Sequence, residues 1–64
     1  MLIKPNMNSI WYKFIDEYKD QIPNRPLSVI LESFWWYVQM SGTDEPMFVG
    51  NCQERIHFLM GKEL

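Results

Sequence analysis

Residues 27–40, Leu-Ser-Val-Ile-Leu-Glu-Ser-Phe-Trp-Trp-Tyr-Val-Gln-Met, carry two apolar stripes at helical spacing, and the fold turns on which of them is buried. Leu27, Ile30, Leu31, Phe34, Trp35 and Val38 follow the i, i+3, i+4, i+7, i+8, i+11 pattern of a helix that hides one face. At about 100° per residue, Val29, Trp36 and Met40 fall on nearly the opposite side, with only Ser33 between them. A small domain has one core, so the first stripe is expected to face it and the second to meet a partner. Tyr37 flanks that second stripe. Trp, Tyr and Met are enriched at the buried centres of protein interfaces, which makes Val29, Trp36, Tyr37 and Met40 the candidate partner-binding patch.

The punctuation on either side divides the chain into three segments. Pro23-Asn24-Arg25-Pro26 precedes the two-striped helix, with Asn24 as a possible cap and Pro26 tolerated in its first turn. Gly42 suits a left-handed residue just past its end. Upstream, Asn8 or Ser9 can cap a helix that runs to about Gln21 and stops because Pro23 disfavours helical geometry at Ile22. Trp11, Phe14, Ile15, Tyr18 and Ile22 form its apolar stripe, and Lys13, Asp16, Glu17 and Asp20 point to water. Downstream, Asn51 and Glu54 have capping-box spacing, which predicts a helix over 52–60 with Cys52, Ile56, Leu59 and Met60 inward and Gly61 as terminator. Before it, Thr43 can cap a helical turn holding Asp44 and Glu45 at the positive end of the dipole, while Met47, Phe48 and Val49 plug one end of the core. The rival for this last segment is a hairpin, since Ile56, Phe58 and Met60 also alternate with His57 and Leu59. The expected fold is therefore all-α, a small three-helix domain over residues 1–64 with antiparallel neighbours; the alternative is α+β, two helices and a C-terminal β-hairpin.

A chain of 64 residues buries only roughly 60% of its unfolded surface, so the core is small. A hydrophobic content of 47%, with 16% aromatic, compensates through large side chains. The single cysteine, Cys52, allows no internal disulfide, and one cysteine with one histidine, His57, makes no metal site, which leaves self-association or a partner as the remaining source of stability. No motif implies a cofactor. Met1–Lys4 is too short for a signal-peptide apolar region and no segment approaches a membrane span, so a cytoplasmic location is expected.

Net charge is −2 and the six cations are scattered, which makes nucleic acid a poor partner. An interfacial membrane helix would set cations on its polar face, whereas the two-striped helix has only Glu32. Cys52 and His57, five residues apart on a helix, diverge by about 140° and cannot form a nucleophile–base pair. Asp16, Glu17, Asp20, Asp44 and Glu45 are first a solvated surface, and second a possible electrostatic contact with a basic groove on another protein. The functional expectation is a non-enzymatic protein-binding modulator that acts by stoichiometric occupancy. By analogy with small acidic, aromatic-rich chains, it would be a viral or mobile-element inhibitor of a host enzyme or defence complex. A structural subunit or homo-oligomeric accessory chain is the alternative.

Overall fold

A computed structural model describes residues 7–61, and the Met1–Lys4 segment lies outside them. The order is α1 (Met7–Tyr18), a short 3-10 helix (Ile22–Asn24), α2 (Leu27–Ser41) and α3 (Pro46–Leu59). This is an all-α three-helix domain, with no strand among the described residues, so the hairpin alternative falls.

The boundaries differ from the sequence expectation in instructive ways. Helix α1 begins at Met7, so Asn8 and Ser9 lie within its first turn, and it ends at Tyr18 rather than near Gln21. There the Gln21 N–H donates to the Tyr18 carbonyl at 2.9 Å, and the chain tightens into the 3-10 turn that accommodates Pro23. Helix α2 is capped by Pro26, not Asn24: the Pro26 carbonyl accepts from the amides of Val29 and Ile30 at 3.1 and 3.2 Å. Gly42 caps its other end at φ −97°, without the left-handed geometry expected of it. Helix α3 starts at Pro46, where the fixed φ of proline suits a first helical residue, so the separate turn and the Asn51 cap merge into one helix. Thr43 still serves the approach, its hydroxyl accepting from the Glu45 amide at 3.2 Å. Met47 is exposed and does not plug the core, while Phe48 and Val49 are half-buried.

Gly61 ends α3 as expected, at φ +78°. Glycine suits the position because a Cβ would strain the left-handed backbone; the Arg25 guanidinium packs over it and, being the end of a flexible side chain, could move aside for a larger residue.

The core joins Ile10, Phe14 and Tyr18 of α1 to Ile30 and Tyr37 of α2 and to Ile56 and Met60 beyond it, with Ile22 laid against the cluster from the 3-10 turn. Its two helix interfaces are built differently. Helices α2 and α3 approach most closely, and each buries a small residue, Ser33 and Cys52. Helix α1 instead meets α2 through rings. Trp11 stands edge-on to Phe34 at 4.8 Å, Phe14 touches Phe34 and Tyr37 at 5.6 and 5.4 Å, and Tyr18 meets Tyr37 at 6.3 Å. These contacts advance in the same direction along both helices, so α1 is not the antiparallel neighbour expected from short connections. Residues 19–26 must return the chain toward Leu27, which lies about 15 Å along the α2 axis from Tyr37.

Candidate functional site

Helix α2 decides what this molecule offers to its surroundings, and its inward face is centred on residues that a hydrophobic pattern would not choose. Ser33 is 0% exposed, Tyr37 5% and Ile30 8%. Serine is tolerated there because its hydroxyl donates to the Val29 carbonyl at 2.8 Å, one turn back in its own helix. A small side chain at that point also leaves room for the close approach of α3. The Tyr37 hydroxyl donates to Glu17 Oε2 of α1 at 2.9 Å, so its one polar atom is satisfied across the helix interface.

The electrostatics of this inner face follow from its dryness. Burial, the hydrogen bond to Glu17 and the negative charges it would meet on ionising push the Tyr37 pKa up to about 12. Tyr18 is also raised, first by burial and then by the charge of Glu17. The Gln53 amide partly offsets this, but it closes no hydrogen bond of good geometry, and the Tyr18 hydroxyl has no hydrogen-bond partner among the described residues. Burial likewise pushes the Cys52 thiol up, which keeps it protonated and unreactive. His57 is half-buried, its ring edge-on to Tyr18 at 6.1 Å.

The residues assigned to a partner from sequence therefore sit elsewhere than expected. Tyr37 is core. Val29, Trp36 and Met40 are half-buried, and Trp36 and Met40 pack directly against the core cluster, so the bare patch expected at Trp36 is not formed. The exposed apolar face is instead part of the stripe assigned to the core: Leu27 is 68% exposed, Leu31 50% and Trp35 62%. At i, i+4 and i+8 they form a ridge inclined to the α2 axis, turning about 40° at each step. Its flank toward α1 is Phe34, covered by Trp11. Toward α3 the ridge is edged by Glu32, which accepts from Arg55 Nη2 at 3.4 Å; the Arg55 guanidinium lies 5.5 Å from the Phe58 ring centroid.

The sequence did hold a signal for this arrangement. Together the two stripes span about 260° of the helix circumference, more than a neighbour on one side can cover. Such an arc is buried near its middle and bare at one margin, and Leu31 and Trp35 occupy that margin.

The acidic candidates do not converge on one site. Asp16 pairs with Lys19 at 3.8 Å, both well exposed, an ion pair worth a few tenths of a kcal/mol. Glu17 is held by Tyr37, Asp20 is exposed, and Asp44 and Glu45 lie just before α3. Among the described residues no group of His, Cys, Asp and Glu could hold a metal, no pocket opens, and no helix is long and apolar enough to cross a membrane. No protein-family model matches this chain, and neither a curated protein nor a solved structure does.

Proposed function

We propose that this protein is a non-catalytic binding module that acts by stoichiometric occupancy, seating another polypeptide on the Leu27–Leu31–Trp35 ridge. The supporting observation is three large apolar side chains in helical register, each at least half exposed, on a helix whose inner face is already buried. Contiguous apolar surface of this kind on a small domain marks a contact, and tryptophan is among the residues that contribute most when an interface forms over it. A helix face read at successive turns is also a recurring mode of recognition between chains. A protein is favoured over a lipid surface because Arg55, beside the ridge, is engaged with Glu32 and Phe58 and the Arg25 guanidinium packs over Gly61, whereas membrane-surface helices present free lysines and arginines beside their apolar face.

The test is site-specific photo-crosslinking in living cells, with the photoreactive residue at position 35 or at Asn51, which is exposed on α3. A discrete protein adduct from position 35 but not from position 51 is expected. Absence of an adduct at both positions, or equal adducts from both, would sink the assignment of this face.

A further inference from the structure

We draw no further inference here: the strongest candidate, the exposed Leu27–Leu31–Trp35 ridge on the outer face of α2, belongs to the site already described, and nothing in the structure shows what covers it.

Discussion

The two faces of α2 invert the usual division of residues. Its inner face is centred on a serine and a tyrosine with Ile30 beside them, and its outer face presents two leucines and a tryptophan. The inner face works because every polar atom it buries has a partner, Ser33 within its own helix and Tyr37 on α1, so the cost of desolvation is offset and the small serine permits tight packing. The outer face has no such internal answer. Apolar surface is covered only by another body, and α1 and α3 together leave one side of α2 bare. Burial in a domain this small follows from where neighbours fit and which polar groups they can satisfy, as much as from hydrophobicity.

The largest expected effect separates the two faces directly. Tyr37→Ala should destabilise the fold by about 3–5 kcal/mol, as for other large aromatic truncations in cores, and so unfold much of the population. Trp35→Ala, a change of similar volume on the outer face, should shift stability by no more than about 0.5 kcal/mol. Urea denaturation followed by circular dichroism measures both. Equal losses would erase the distinction between the faces.

Next in size is Ser33→Leu. A more hydrophobic residue would stabilise this position if the inner face were short of apolar contacts; because Ser33 is fully enclosed, overpacking should instead cost about 1–3 kcal/mol, seen as a lower urea midpoint.

The Glu17–Tyr37 bond gives the comparison a pH signature. The folded chain holds the Tyr37 proton up to about 12, whereas the unfolded chain releases it near 10.0. The native state therefore binds more protons in that window. This contribution to stability is complete below pH 10.0 and is lost as pH rises toward about 12. Tyr18 and Cys52, also raised, act in the same direction. Tyr37→Phe should lower stability at neutral pH by about 1 kcal/mol through the lost hydrogen bond and should flatten the alkaline decline. An unchanged alkaline profile would show that the hydroxyl is not held as described.

The smallest effect is a gain. Gly50 lies inside α3 on its exposed side, and a Cβ there would meet nothing within 4 Å. Gly50→Ala should stabilise the fold by up to about 1 kcal/mol through helix propensity, raising the urea midpoint. A lowered midpoint would show that the outer side of α3 is not open at this position.

Much of the helical framework is legible in local chemistry. The existence of three helices, the inward placement of Cys52, Ile56 and Met60 and the termination at Gly61 follow from spacing and backbone preference, whereas α1 ends at Tyr18 before Pro23 is reached, α3 starts at Pro46 rather than near Cys52, and Leu59, expected inward, is half-buried. The candidate site was only half legible. An excess of apolar surface on α2 could be counted from residues 27–40, but assigning its margins required knowing which side the neighbours occupy.

What the sequence by itself determined is the helices and the surplus of large apolar side chains on the middle one, because hydrogen bonding along a helix and the periodicity of its faces are local. What only the tertiary structure decided is which side of α2 turns inward. The partner that satisfies Tyr37 lies twenty residues away on α1, and α1 crosses α2 with its contacts running in the same direction along both helices rather than folding back beside it. A hydrogen bond and a crossing direction of that range depend on the whole assembled core, and they leave Leu27, Leu31 and Trp35 facing out.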